Sequence, residues 1–365
     1  MKVMTILGTR PEIIRLSLIV EKLDRMAHQH TLVHTGQNYT STLSDLFFEQ
    51  MKVREPDYRI HLHSHAFGAQ AGQMFAEVGE IMEQVRPDRV LVLGDTNSAL
   101  CAIVAERLGI PVVHMEAGNR CYDRSVPEEL NRRMIDSVSS FNLPYTLFSR
   151  ENLLREGIPS SCIWVSGNPI YEVLHHYRNE IDSSPVLNQL SVEEGNYMVV
   201  TAHRAENVDR ESSLRQILEA LNRIAEIHQI PLICSLHPRT KSRMEQFSIA
   251  PRHSLIQLHE PFGFFDFVKL QKHALCVLTD SGTVQEECCI LGVPTVTIRN
   301  STERPETIIC GSNVLPGVQA DRIVQAVDVM LQAPRTWELP EGYGARQVSS
   351  RVVNMILGGV RNVQQ

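Results

Sequence analysis

The sequence predicts an α/β protein in which parallel, doubly wound sheets form two similar halves. Short apolar runs alternate with amphipathic stretches along most of the 365 residues, and no turn signals typical of hairpins join neighbouring runs. This alternation is typical of parallel strands connected by helices. A chain of this length also favours two domains over one, because domains commonly span about 100–200 residues.

The first half contains apolar runs that predict buried strands. They are Val3–Leu7, Thr31–Thr35, Val90–Leu93 and Val112–Met115. Amphipathic stretches between them predict helices over Pro11–Met26, Gln70–Gln84 and Asn97–Leu108. Proline suits the first turn of a helix, where its missing N–H has no intrahelical partner to lose. This half ends near Asn168.

The alternation resumes after residue 168 and predicts a second sheet. Its strands are Met198–Thr201, Leu232–Ser235, Leu255–Leu258, Cys276–Leu278 and Thr295–Ile298. The polar segment Ile181–Gly195 is interrupted by proline and glycine, so we expect a linker there. The last amphipathic stretch, Ala345–Val360, could pack on either half.

Composition excludes several classes of protein. Thirty-five Lys and Arg against 42 Asp and Glu give a net charge of −7, which argues against nucleic acid as a main partner. Eight cysteines without a CxxC pair suit reduced cytosolic thiols better than a disulfide framework or zinc site. Because neither a signal peptide nor a run of about 18 apolar residues is present, we expect a cytoplasmic protein without a membrane span.

The residues that follow each strand are the candidates for function, because ligands of open α/β sheets bind beyond the carboxyl ends of the strands. After the first strand, Gly8 permits a tight turn and Arg10 and Arg15 add positive charge near a helix N-terminus. The alternative is an ordinary turn with arginines that point to solvent. Neither GxGxxG nor GxxxxGK[ST] occurs in the chain, which disfavours dinucleotide and P-loop sites.

Three acidic residues fall at the ends of later strands or on the adjoining segments. Asp95, Glu116 and Glu128 could converge, and neighbouring carboxylates can separate each other's pKa values for general acid and base catalysis. Each also has a structural alternative: Asp95 could cap a helix, and Glu128 could be a favourable charge in a first helical turn.

In the second half, His203 follows a strand and could bind phosphate or transfer a proton, although a lone histidine is more often structural. The turn at Ser281 and Gly282 offers backbone N–H groups to a phosphate. Histidines at positions 61, 63 and 65 alternate as metal ligands on a strand would. No carboxylate or cysteine lies at ligand spacing from them, so we predict no metal site.

Seven segments together give the chain a specific resemblance. They are GTRPE (8–12), GDT (94–96), HMEAG (114–118), PEE-x-NR (127–132), HRAEN (203–207), DSGTVQEE (280–287) and TERPE (302–306). In this order and spacing, over essentially the full length, the chain resembles the non-hydrolysing UDP-N-acetylglucosamine 2-epimerases. The resemblance implies two Rossmann-like domains with the active site in the cleft between them, as in GT-B glycosyltransferases. The expected domains are 1–168 plus 344–365, and 169–343.

The resemblance also implies a reaction that needs no cofactor. UDP is eliminated from the sugar and re-added after the C2 proton has been replaced on the opposite face, which yields a precursor of surface polysaccharides. The matching catalytic residues are Asp95, Glu116, Glu128 and His203. The matching substrate-binding residues are Arg10, Arg15, Ser281, Gly282, Glu287 at the ribose, and Arg304. The family further suggests a homodimer.

Some segments depart from the commoner family pattern. Arg15 stands where many members have lysine, and Gly36 to Tyr39 do not match the Gln-His-Arg pattern of members that their own substrate regulates. Strings such as AHRAENVD (202–209) look more like a branch that forms UDP-N-acetyl-L-fucosamine. That substrate is one alternative, and a glycosyltransferase of the same architecture is another.

Overall fold

The computed structural model describes residues 1–37, 41–64 and 66–358, and the chain divides into two compact units. Unit 1 comprises Met1–His175 and Glu341–Gln365, and unit 2 comprises His176–Pro340. Asn38, Tyr39, His65 and the last seven residues of the predicted segment 344–365 lie outside the described residues. No described helix is both long and apolar enough to cross a membrane.

The strands and helices follow one another as the alternating pattern predicts. The strands are β1 (Lys2–Leu7), β2 (Gln29–His34), β3 (Tyr58–Arg59), β4 (Arg89–Leu93), β5 (Val112–Met115), β6 (Phe141–Leu143), β7 (Met198–Thr201), β8 (Leu232–Ser235), β9 (Ile256–His259), β10 (Cys276–Thr279), β11 (Thr295–Thr297) and β12 (Asn313–Val314). The helices are α1 (Arg10–Met26), α2 (Ser41–Gln50), α3 (Phe67–Val85), α4 (Ala102–Arg107), α5 (Pro127–Val138), α6 (Leu147–Arg155), α7 (Pro169–His176), α8 (Arg178–Ser183), α9 (Val186–Gln189), α10 (Ala205–Val208), α11 (Glu211–His228), α12 (Pro238–Gln246), α13 (Phe264–Lys272), α14 (Gly282–Leu291), α15 (Pro305–Ile309), α16 (Ala320–Gln332) and α17 (Val348–Leu357). Short 3-10 helices span Ser98–Cys101 and Ser160–Cys162.

Both units contain a six-stranded parallel sheet with the same strand order. Unit 1 has the order β3-β2-β1-β4-β5-β6, and unit 2 has β12-β11-β10-β7-β8-β9, which is the same sequence of connections read from the other edge. The paired strands run parallel throughout. The order reverses between β1 and β4 in unit 1 and between β7 and β10 in unit 2. These reversals are the points where doubly wound sheets bind ligands.

Helices cover both faces of the unit 2 sheet, as a buried parallel sheet requires. Met198 and Val200 of β7 face a core shared with α11 and α16. The intervening residue Val199, with Tyr197, faces a second core that includes residues of α13 and α14. Because side chains alternate along a strand, one short apolar run serves both cores.

The unit 1 sheet is built in the same way. Met4 and Ile6 of β1 face a core formed with α3 and the segment 99–105. Helix α17 packs on α1, where Lys22 Nζ donates a hydrogen bond of 2.6 Å to Ser350 Oγ. The end of the described chain therefore belongs to the unit that contains its beginning.

The expectation of a linker over Ile181–Gly195 is wrong. The boundary between the units lies before this segment, which contains the end of α8 and all of α9. Val186 and Val192 are buried in the core of unit 2. Pro185 is the residue before α9, and Gly195 lies in the turn before β7, so the composition of a linker also suits a tightly folded connection.

Glycine at position 118 is required by its surroundings, and a matched pair of substitutions tests this. Gly118 and Gly109 both adopt left-handed backbone, with φ of +80° and +74°. A Cβ on Gly118 would lie 2.2 Å from the carbonyl oxygen of Ser149, whereas one on Gly109 would meet no atom within 4 Å. We expect Gly109→Ala to lower the free energy of unfolding by about 1 kcal/mol and Gly118→Ala by about 2–4 kcal/mol. Urea titration measures both, and equal losses would contradict the steric argument.

Candidate active site

The predicted site residues of unit 1 lie at the carboxyl ends of the strands next to the reversal. Arg10 begins α1 directly after the loop that follows β1, and the loop that carries Asp95 follows β4. Glu116 follows β5, and Glu128 lies in the first turn of α5. Because these strands are parallel neighbours, the four residues share one edge of the sheet.

Glu116 lies in a buried, polar environment. Its backbone is left-handed, with φ of +67°, which turns the chain sharply after β5. Arg15 Nε lies 4.0 Å from Glu116 Oε2, and the Tyr145 hydroxyl donates to the same oxygen at 3.3 Å. Both partners stabilise the ionised carboxylate. Arg15 is only 2% exposed, so the alternative that it points to solvent is wrong.

Asp95 and the start of α5 are connected by Arg132. Arg132 Nη2 lies 2.8 Å from Asp95 Oδ2, and Arg132 Nε donates to the backbone carbonyl of Glu128 at 3.1 Å. Asn131 Nδ2 donates to the backbone carbonyl of Asp95 at 2.9 Å. Glu128 lies in the first turn of a helix, which is the structural alternative that the sequence offered. Its backbone is also linked to Asp95 through Arg132.

A network of buried polar side chains stabilises the loop that follows β4. His114 Nε2 lies 2.8 Å from the carbonyl oxygen of Gly94, and His114 Nδ1 lies 2.9 Å from Asp136 Oδ1. Arg120 Nη1 lies 2.7 Å from the other oxygen of Asp136. Burial alone would raise the pKa of Asp136, but the contacts with His114 and Arg120 outweigh it and hold the pKa below its usual value.

In unit 2, Asp280 organises the turn that carries His203. The buried Asp280 carboxylate accepts hydrogen bonds from the backbone N–H of His203 at 2.9 Å and of Arg204 at 2.8 Å. It also accepts one from Asn207 Nδ2 at 3.0 Å, and His203 Nδ1 lies 3.3 Å from it. The His203 side chain remains 35% exposed and stacks on His237, with ring centroids 5.3 Å apart. A partly exposed imidazole on a fixed turn is suited to bind an anion.

Ser281 and Gly282 lie at the N-terminus of α14, directly after Asp280. A Cβ on Gly282 would lie 2.4 Å from Glu303 Oε1, so a larger residue does not fit without displacing that side chain. The ten-residue helix α14 begins at Gly282, and its first N–H groups have no intrahelical acceptors. This helix end favours negative charge, as the sequence indicates.

Glu287 and Arg304 lie deeper in unit 2. Gln271 Nε2 donates to Glu287 Oε2 at 2.9 Å, and Glu287 is 6% exposed. The buried Arg304 guanidinium pairs with Glu286 and lies near Glu303. Arg304 thus holds the carboxylate that packs against Gly282, and its direct contact with a substrate stays a prediction.

Comparisons with known proteins agree with this architecture. A family profile described as UDP-N-acetylglucosamine 2-epimerase matches residues 21–357. A Methanocaldococcus jannaschii protein of that name is 40% identical, covering 98% of this chain and 100% of the relative. The chain belongs to the UDP-N-acetylglucosamine 2-epimerase family.

Two further comparisons show the range of this family. A Pseudomonas aeruginosa relative, named UDP-2,3-diacetamido-2,3-dideoxy-D-glucuronate 2-epimerase, is 34% identical, with 98% of this chain and 99% of the relative covered. The crystal structure of the M. jannaschii UDP-GlcNAc 2-epimerase, in complex with UDP-GlcNAc and UDP, superposes with a TM-score of 0.94 at 39% identity. That match covers 98% of this chain and 100% of the solved one.

In this 2-epimerase family member, the sequence did not predict a role for four polar residues near the candidate site, which are Glu12, Arg132, Asp136 and Asp280. Glu12 and Asp280 stand inside the quoted motifs GTRPE and DSGTVQEE, and a carboxylate three residues after Thr9 is itself the signal of a capping box. Arg132 also lies in a quoted segment. Asp136 carries no such signal, because its partners His114 and Arg120 are brought to it only by the folding of the sheet.

Glu12 has the most unusual electrostatics among these residues. Its carboxylate is 1% exposed and accepts hydrogen bonds from Gly8, Thr9 and Thr96. Burial raises the pKa of Glu12 to about 7, although these bonds favour the ionised form. The group is therefore close to half protonated at neutral pH.

This pKa makes the stability of the fold depend on pH. Because the folded-state pKa of Glu12 exceeds the unfolded value of 4.5, the folded protein binds the proton more tightly, and stability falls as pH rises from about 4.5 to 7. The raised pKa corresponds to at most about 3 kcal/mol. We expect the free energy of unfolding of wild type, relative to that of Glu12→Gln, to decline as the pH rises across this window. Urea titrations of both proteins at several pH values measure this difference. Glu21→Gln, on the exposed face of α1, is the control. Parallel curves for wild type and Glu12→Gln would contradict the raised pKa.

Proposed function

We propose that this chain inverts the C2 configuration of UDP-N-acetylglucosamine to give UDP-N-acetylmannosamine, and the reverse. The observation that carries the proposal is the full-length match, at 40% identity, to a relative named UDP-N-acetylglucosamine 2-epimerase. The relatives do not favour the L-fucosamine-forming branch or a glycosyltransferase.

The chemistry explains why unit 1 carries several carboxylates at one sheet edge. The C2 proton is only weakly acidic, so a base must take it while the bond between C1 and the UDP oxygen breaks. UDP leaves with the bonding electrons and a 2-acetamidoglucal remains. The UDP oxygen then bonds to C1 again, and a carboxyl group delivers a proton to the opposite face of C2. One face needs a base and the other an acid, so a single carboxylate is not enough.

We assign the base to Glu116, because Arg15 and the Tyr145 hydroxyl favour its ionised form. Asp95, whose carboxylate pairs with Arg132, and Glu128, whose backbone carbonyl accepts a bond from the same arginine, exchange the proton on the other face. Arg15 keeps its proposed place at the substrate and, in addition, sets the charge of Glu116.

We further propose that the UDP group binds the α14 end of unit 2, and that Arg10 of unit 1 is a substrate-binding residue. Negative charge on the leaving diphosphate suits His203, Ser281 and the first N–H groups of α14. Glu287 is assigned to the ribose hydroxyls, and Arg304 supports the Gly282 turn through Glu303. No step in this scheme requires a cofactor.

A homodimer and a cytoplasmic location complete the proposal. Leu130 and Met134 lie one turn apart on α5 and are 40% and 41% exposed, which supplies part of an apolar contact surface. The eight cysteines carry free thiols, which suits a reducing compartment. Light scattering on the purified protein measures the oligomeric state.

The proposed reaction predicts exchange of one hydrogen with solvent. In D2O, proton NMR should show product UDP-sugar with deuterium at C2, because the C2 proton leaves as the glucal forms. Free glucal and UDP should accumulate slowly beside it. Retention of the C2 proton in the product would exclude the mechanism, and release of free N-acetylmannosamine would identify a hydrolysing enzyme instead. UDP-2-acetamido-2,6-dideoxy-L-talose, offered separately, tests the alternative substrate.

Substitution of the carboxylates should reduce turnover more than binding. We expect Asp95→Asn, Glu116→Gln and Glu128→Gln each to lower kcat by about 10²–10⁴-fold, the usual contribution of a positioned acid or base. The dissociation constant of UDP, measured by calorimetry, should change much less. Glu151→Gln, on the exposed face of α6, is the matched control for a lost carboxylate charge. If one of these variants keeps a normal kcat, the carboxylate that it lacks is not catalytic and has a structural role instead.

A further inference from the structure

The Glu12 carboxylate makes more contacts than a helix cap requires. In a capping box, the side chain three positions after the cap residue accepts one bond, from the N–H of the cap residue, and the cap side chain makes the reciprocal bond. Glu12 Oε2 accepts that bond from Thr9 N–H at 2.8 Å, and also bonds from Gly8 N–H at 3.0 Å and the Thr9 hydroxyl at 2.7 Å. Its other oxygen, Oε1, accepts from the Thr96 hydroxyl at 3.0 Å.

These contacts join two loops that are far apart in sequence. Gly8 and Thr9 lie in the loop after β1, directly before Arg10. Thr96 lies in the loop after β4, directly after Asp95. Strands β1 and β4 are neighbours at the reversal of strand order, so the carboxylate spans the two loops that form this edge of the sheet.

We propose that Glu12 is a positioning residue of the epimerisation reaction. It fixes the β4 loop, and with it Asp95, relative to the β1 loop and Arg10. This inference rests on the proposed function, because Asp95 and Arg10 act only if the chain is an epimerase. Glu12 itself is buried and touches loops that carry reacting groups, so it acts through them.

Neighbouring contacts show that the loops after β1 and β4 are closely packed against each other. A Cβ on Gly8 would lie 2.1 Å from Thr35 Oγ1 and 2.2 Å from Ser98 Oγ. Thr35 and Ser98 share a hydrogen bond of 2.7 Å, and Gln37 Oε1 accepts from the Ser98 hydroxyl at 3.0 Å. The β1 loop therefore cannot adjust to a displaced β4 loop without breaking several contacts. A shift of about 1 Å at a reacting group can reduce the rate about 100-fold.

Thr96→Val isolates the link between the loops. Valine keeps the shape of threonine and removes the hydroxyl that reaches Glu12 Oε1, while the capping bonds of α1 remain. We expect kcat to fall by about 10- to 100-fold. The KM and the dissociation constant of UDP should change by no more than about twofold, because Arg10 and its loop keep their contacts.

Glu12→Ala removes the hydrogen bonds to Gly8 and Thr9 as well as the one to Thr96. Glu12→Gln is its conservative counterpart. The glutamine oxygen can accept the Gly8 and Thr9 bonds, and its NH₂ group can donate to a rotated Thr96 hydroxyl, so activity should largely return. The double variant Glu12→Ala with Thr96→Val should be no slower than Glu12→Ala alone, because both substitutions break the same bond. A merely structural role would instead change the melting temperature and leave kcat of the folded protein unaltered.

The control is Glu21→Ala, which removes an exposed carboxylate from the same helix. Glu21 pairs with Arg25 on the protein surface. C2 deuteration by wild type in D2O is measured first, and its absence would reject the proposed function rather than the role of Glu12. With active wild type, a folded Thr96→Val protein of normal kcat would overturn the positioning role. Additive losses in the double variant would overturn it too. If Glu12→Ala does not fold, Thr96→Val alone decides.

Discussion

The N–H groups of a buried turn need hydrogen-bond acceptors, and in both units a buried carboxylate meets this constraint. In unit 1, Glu12 of α1 accepts bonds from the loop after β1. In unit 2, Asp280 after β10 accepts bonds from the loop after β7. The two carboxylates come from different elements, yet each joins loops at the point where the strand order reverses. Loops fixed in this way can hold exposed groups such as His203 in defined positions.

Buried charge elsewhere follows the same requirement for a partner. Arg15 lies against Glu116, Arg132 against Asp95, and Arg120 against Asp136. A buried ion left alone would be costly, so these pairs restrict one another to a small set of geometries. Such preorganisation suits a reaction in which charge moves from a C–H bond to a leaving diphosphate, because groups that are already oriented need no rearrangement.

The arginine at position 15 shows how a departure from the family pattern gains meaning from the fold. The sequence alone offered contact with the substrate, at its diphosphate or its sugar, or exposure to solvent. The structure buries the side chain beside Glu116. A cation in that place favours the ionised form of the neighbouring carboxylate, whether or not it also binds an anion.

The sequence by itself determined the α/β class, the longer strands and the resemblance to the 2-epimerase family. Strands such as β5 and β7 match their predicted bounds, because a run of buried apolar residues is a local signal. The short strands β3, β6 and β12 were not predicted, whereas the equally short β11 was, because it lies within the apolar run 295–298. Composition also misled at 181–195, where Pro185 precedes a short helix and Gly195 lies in a turn of the folded unit.

Only the tertiary structure decided which polar residues meet. Asp136 reaches His114, and Thr96 reaches Glu12, across separations of 22 and 84 residues. Strand order sets these pairings, and strand order depends on how the whole sheet assembles rather than on any local pattern. The burial that raises the pKa of Glu12 has the same origin. The local sequence specifies which side chains are available, and the packing of distant strands specifies their neighbours and therefore their charge.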